Sequence, residues 1–128
     1  MEILYPELSY NIINAALQVF NEQGTGFLEK VYQEELGICL EERGIKYERE
    51  KKIDLFFHGR KLSTPYYCDL LVDDKIIVEL KATKTLEDIH QAQLLNYLKA
   101  TGFQLGILIN FGESSLKYKR LINLPRRQ

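Results

Sequence analysis

Two apolar runs, residues 67–72 and 76–81, flank Asp73-Asp74-Lys75, and between them they carry Asp69, Glu79 and Lys81. In a β-strand successive side chains face opposite ways, so Glu79 and Lys81 share one face while Val78 and Leu80 share the other. Two charges projecting from one face of an apolar strand are costly to bury unless a partner or a metal satisfies them. The Asp-Asp-Lys segment reads as a tight hairpin turn. Folding about it brings Asp69, ten positions before Glu79, roughly opposite that residue.

Two hard carboxylates side by side, with a cation two residues on, are the parts needed to hold Mg²⁺ or Mn²⁺ and to orient a water against a phosphodiester. An isolated D…ExK is equally compatible with a solvated hairpin whose charges face water. Flanks as apolar as these argue against the solvated reading.

These residues resemble the PD-(D/E)XK nuclease superfamily, whose signature is a hairpin Asp followed by (D/E)-x-K on the next strand. Asp69, Glu79 and Lys81 match it, with Cys68 standing where the family name expects Pro. Within the superfamily the chain is similar to the GxxExxY family, since Gly26-Phe27-Leu28-Glu29-Lys30-Val31-Tyr32 fits the naming motif. Gln93-Leu94-Leu95-Asn96-Tyr97 and Gly106-Ile107-Leu108-Ile109-Asn110-Phe111 extend the resemblance over nearly the whole chain.

The chain has 128 residues and no Pro/Gly/Ser-rich linker, which fits one domain able to bury one core. Its formal net charge of −1 argues against a strongly basic, non-specific nucleic-acid binder, so contacts to DNA would come from local patches. One lies within residues 43–61, diluted by Glu48, Glu50 and Asp54. Another follows Ser115, with Lys117, Lys119, Arg120, Arg126 and Arg127 and no acidic residue. Nothing at the N-terminus resembles a signal peptide and no apolar run approaches membrane-spanning length, so a cytoplasmic protein without membrane partners is expected. Cys39, and Cys68 on the face opposite Asp69, lack metal-ligand spacing and read as small core residues.

Helical periodicity predicts helices over residues 7–23, 27–42 and 86–100. Strands are expected over 46–57, 62–72, 75–82, 104–111 and 116–122, with Pro65 marking an edge or break in the second. That order predicts an α/β fold, a mixed central sheet flanked by helices, and it is also the order of the restriction-endonuclease-like core that the resemblance implies. The resemblance implies that the strand over 104–111 returns parallel to the Glu79 strand, and a right-handed crossover would place the helix over 86–100 beside it.

Glu29, Tyr32 and Gln33 are spaced i, i+3, i+4 and share a helix face. Taken alone, Glu29 is a helix N-terminal carboxylate of the kind the macrodipole favours. His90, Gln93 and Tyr97 line a second face, where Tyr97 is also a natural core aromatic. The resemblance implies more. Asp69 and Glu79, with the Leu80 carbonyl and Glu29, would bind a divalent ion, Mg²⁺ or Mn²⁺. Lys81 would orient or deprotonate water, and Gln93, Tyr97 and Tyr32 would position a nucleic-acid substrate, expected to be DNA.

The competing expectation is a non-catalytic module of the same fold that binds nucleic acid or a protein. Hydrolysis of another phosphate ester is a third, since such a motif specifies chemistry at phosphorus better than it specifies substrate. Tyr5 and Tyr10 near the first helix leave room for a homodimer or a larger complex.

Overall fold

A computed structural model describes residues 4–124. The first helix, α1 (Pro6–Gln23), starts on a proline, whose missing N–H costs nothing in a first turn, and buries Ile12, Ile13, Ala15, Ala16 and Val19 along one stripe. Helix α2 (Glu29–Glu42) turns Tyr32, Leu36, Cys39 and Leu40 inward. Next come β1 (Tyr47–Ile53), β2 (Phe56–Phe57), β3 (Arg60–Lys61), β4 (Tyr66–Val72) and β5 (Ile76–Lys81), followed by α3 (Asp88–Thr101), β6 (Leu105–Asn110) and β7 (Lys117–Ile122).

The main sheet has the order β1-β4-β5-β6-β7. All its neighbours are antiparallel except β5 and β6, which run parallel, as a helical crossover between them requires. Strands β5 and β6 bury apolar residues on both faces because helices cover both, with Glu79, Lys81 and Asn110 the polar exceptions at one end. Val78, Leu80, Ile107 and Ile109 pack with α1 and α2 on one side. Ile77 and Leu108 pack with Leu94 and Leu98 of α3 on the other. The expected mixed sheet flanked by helices is thus the observed one.

The expected strands over 46–57 and 62–72 are each cut short. Strand β1 stops at Ile53, and Phe56–Phe57 pair with Arg60–Lys61 in a separate two-stranded ribbon. His58 and Gly59 turn this ribbon with φ of 49° and 74°, the two positive values a two-residue type I′ loop demands. Pro65 has no N–H to offer a ladder, and β4 begins only after it.

Two glycines set how closely the layers meet. A Cβ on Gly106 would stand 3.0 Å from Leu94, so its absence lets α3 settle on β6. A Cβ on Gly112 would stand 2.2 Å from the Thr83 carbonyl oxygen. The chain leaving β6 therefore runs against the chain leaving β5, and Asn110 locks the two. The Asn110 side chain accepts from the Thr83 N–H and donates to the Thr83 carbonyl, each at 3.0 Å. Thr83 follows Lys81 by two residues, so this clamp fixes the end of β5.

Gly112→Ala is expected to cost roughly 1–3 kcal/mol or more, since backbone rather than a flexible side chain occupies the space. Urea denaturation of the two proteins side by side checks it, and equal midpoints would refute the tight approach.

Candidate active site

The site begins where the sheet stops being regular. The β4–β5 ladder pairs Val72 with Ile76, Leu71 with Ile77 and Leu70 with Val78. One step further, Asp69 Oδ2 accepts a hydrogen bond from the Leu80 N–H at 2.7 Å. A side chain has replaced the partner strand's backbone as the acceptor for β5. On its other side β4 pairs Leu70 with Arg49 and Cys68 with Lys51, leaving Glu50 as the unpaired residue across from Asp69. Glu50 adopts φ 49°, a left-handed value uncommon for a non-glycine residue.

The faces of β4 swap across this break. Leu70 and Val72 point into the α1–α2 side of the core, whereas Tyr66 and Cys68, at the same parity, point into the α3 side. The simple alternation that puts Cys68 opposite Asp69 therefore does not hold. Cys68 is fully buried on the face that also carries Glu79, and burial pushes its thiol up to about 12, with help from the charges of Glu79 and Asp69. It is an inert core thiol.

Glu79, Lys81, His90, Gln93 and Tyr97, with Tyr66, line one small cavity of about 60 Å³ between β5 and α3. Tyr66 is the residue that sequence reasoning missed. Its hydroxyl donates to Glu79 Oε1, and its ring lies flat on Tyr97, centroids 3.8 Å apart and planes 7° from parallel. A regular register would put Tyr66 across from Ala82 and on the wrong face. Only the break at Asp69 brings it to Glu79, so no periodicity in the sequence signals it.

Burial, then the negative charge of nearby Asp69, push the Glu79 carboxyl up to about 8, with the Tyr66 hydroxyl pulling the other way. Burial and the charge of Glu79 push Tyr66 up as well, so it stays a hydroxyl donor. Among the described residues neither Asp69, Glu79 nor Lys81 is in an ion pair. Two carboxylates crowded together without a cation are a donor set that suits a hard divalent ion. No group of three or more His, Cys, Asp or Glu side chains gathers among the described residues, and Mg²⁺ commonly uses only one or two carboxylates alongside water and substrate oxygens.

On α3, Glu87 and His90 form a capping box: the His90 N–H bonds back to Glu87, and His90 Nδ1 accepts from the Glu87 N–H at 3.2 Å. A neutral His90 therefore carries its proton on Nε2. Gln93 is exposed at the cavity and Tyr97 is 36% exposed.

Two expected site residues lie elsewhere. Glu29 is exposed in the first turn of α2 and makes no hydrogen bond or ion pair among the described residues. The substrate contact expected at Tyr32 needs correction. Tyr32 is fully buried, stacked on Phe111 at 4.4 Å, and its hydroxyl donates to the Gly24 carbonyl at 2.6 Å. It holds the loop between α1 and α2.

The basic patches also resolve. Lys51 and Lys61 of the first pair with Glu48 and Asp54. Of the second, Lys117 and Lys119 are exposed on β7, and Arg120 reaches back to the Leu4 carbonyl and Ser9. Arg126 and Arg127 lie outside the described residues.

A profile described as the PD-(D/E)XK nuclease superfamily matches residues 6–121. The chain belongs to the PD-(D/E)XK nuclease superfamily. The solved structure of SSO0001 shares the fold, with a TM-score of 0.56 at 17% identity over 77% of this chain. This PD-(D/E)XK chain spans about half the length of that protein, 52% of it. No curated protein matches it. No helix among the described residues is long and apolar enough to cross a membrane.

The raised Glu79 gives this PD-(D/E)XK fold a signature in pH. Between about 4.5 and about 8 an unfolded chain has released a proton that folded Glu79 keeps, so raising pH through that window destabilises the metal-free protein. Glu79→Gln is expected to remove that part of the decline. Urea midpoints at pH 5 and pH 8 for both proteins measure it, and an identical slope in the variant would contradict the assignment.

Proposed function

We propose that this PD-(D/E)XK protein is a metal-dependent phosphodiesterase that cleaves nucleic acid, with DNA as the substrate and Mg²⁺ or Mn²⁺ as the ion. The observation that carries the reading is the Asp69–Glu79 carboxylate pair, in no ion pair among the described residues, with Lys81 on the same face of β5 as Glu79. The Gly26 to Tyr32 segment favours the GxxExxY branch of the superfamily, in which Tyr32 has an architectural part.

A bound divalent ion would offset charge on the scissile phosphate and make a water acidic enough to attack it. Asp69 and Glu79 would hold that ion, together with the Leu80 carbonyl. Asp69 suits the task because one of its oxygens is already anchored on the Leu80 N–H, which fixes where the other points. Glu79 is likewise oriented by Tyr66. Lys81 would orient the attacking water, take its proton and offset charge developing on the phosphate. Gln93 donates to a phosphate oxygen, and Tyr97 places a nucleotide at the rim. Glu29 joins this set only if α2 and its exposed first turn draw in when substrate binds.

Cleavage of end-labelled and circular DNA, single- and double-stranded, with an RNA control, tests the reading in Mg²⁺ and in Mn²⁺. Wild type should cut, and Glu79→Gln should lose on the order of 10³-fold in rate while remaining folded. Lys81→Ala should lose about 10²–10⁴-fold. Undiminished cutting by Glu79→Gln would sink the assignment. Tight nucleic-acid binding by a folded wild type that cuts nothing would point instead to the binding module.

A further inference from the structure

Among the described residues an exposed aromatic ring stands across from a cation on the neighbouring strand three times. Tyr67 pairs with Lys52, Phe56 with Lys61 and Phe57 with Arg60. The rings are open to solvent: Tyr67 is 58% exposed, Phe56 59% and Phe57 64%. A lone exposed apolar residue is ordinary on any protein surface. Phe56 and Phe57 are successive residues of β2 and face opposite ways, so each face of the ribbon carries one ring across from one cation, and Tyr67 with Lys52 repeats the arrangement at the neighbouring edge of the main sheet.

The β2–β3 ribbon supplies two of these pairs and adds no buried side chain of its own to the core. A two-stranded ribbon is marginal in water. Here the His58-Gly59 turn and a hydrogen bond from the Leu62 N–H to the Leu55 carbonyl at 2.8 Å hold its two ends, with Lys61 and Asp54 3.4 Å apart beside them. The His58 ring extends that of Phe57, stacked at 4.1 Å with planes 19° apart.

Its place in the chain decides what it can serve. The ribbon leaves β1 after Ile53 and rejoins the sheet at Tyr66, the residue bonded to Glu79. Ile53 and Leu55 at its base pack on the cluster that contains Tyr66. Five residues of extended chain from Lys61 to Tyr66 span at most about 17 Å. The ribbon thus stands at the Glu79 end of the sheet, close to the cavity.

We infer that the ribbon, with Tyr67 and Lys52, binds a single-stranded segment of nucleic acid, stacking unpaired bases on the rings and matching phosphates to the cations. The inference rests on the proposed nuclease reading and names its substrate class. Bases inside a duplex have both faces covered by neighbours, so a stacking surface takes unpaired ones. An apolar protein partner would have no use for a cation opposite every ring. With a net charge of −1, the pull on phosphate must be local, and this is where it is concentrated beside rings.

Fluorescence anisotropy of a labelled DNA strand of about a dozen nucleotides, against a blunt duplex of the same sequence, tests it in EDTA so that nothing is cut. Wild type should bind the strand more tightly than the duplex. The double variant Phe56→Ala, Phe57→Ala should bind the strand about tenfold or more weakly with an unchanged melting temperature. Arg60→Gln should lower the salt dependence by about one contact. Unchanged strand affinity in the double variant, a preference for duplex, or loss of self-association without loss of strand binding would each overturn the inference. The same preparations with Mn²⁺ separate the two readings. Strand binding through the ribbon without any cutting removes the catalytic reading and keeps this one. Cutting by wild type, with strand binding unaltered in the double variant, does the reverse.

Discussion

Everything at the cavity depends on the hydrogen bond from the Leu80 N–H to Asp69 Oδ2. A buried backbone N–H needs an acceptor, and at this point of β5 the neighbouring strand has stopped supplying one. Asp69 takes over. The same bond anchors the Asp69 carboxylate beside Glu79, and the parting of the strands turns Tyr66 onto the face where Glu79 lies. A regular ladder would leave Glu79 with no hydroxyl partner and Asp69 with no anchor. Irregularity in the sheet and the electrostatics of the cavity are therefore one feature.

The remaining elements hold that feature still. The parallel pairing of β6 along the whole of β5, from Ile76 with Leu105 to Lys81 with Asn110, fixes the strand that carries Glu79 and Lys81. The Asn110 bonds to Thr83 secure its end. Gly106 lets Leu94 close, which sets α3 at the depth where Gln93 and Tyr97 meet the cavity. Tyr97 braces Tyr66 face to face, and Tyr66 in turn holds Glu79. A chain of contacts thus runs from the helix to the carboxylate.

Much of this was legible in the sequence, because it rests on periodicity and on local chemistry. The helices follow from apolar spacing, the parallel return of β6 from the family resemblance, and Asp69, Glu79 and Lys81 from charges set in apolar strands. Tyr66 was not legible. Its role exists only because β4 changes faces at Asp69, and alternation is the assumption used to read a strand. The β2–β3 ribbon is not legible because Phe56-Phe57 has strand propensity and reads as a continuation of the strand before it. The burial of Tyr32 is hidden for another reason. Helical spacing shows which residues share a face, but not that the face is sealed by Phe111.

The break at Glu50 and Asp69 also has a consequence for how copies of this chain meet. Strands β1 and β7 are the two borders of the sheet, and a straight border strand is a template onto which another chain can add. Glu50, left-handed and skipped by the β1–β4 pairing, interrupts β1 midway, and the far border carries the exposed charges of Lys117 and Lys119. Neither border invites a further strand. The distortion that shapes the cavity thereby also interrupts a border that would otherwise be a continuous template for a further strand.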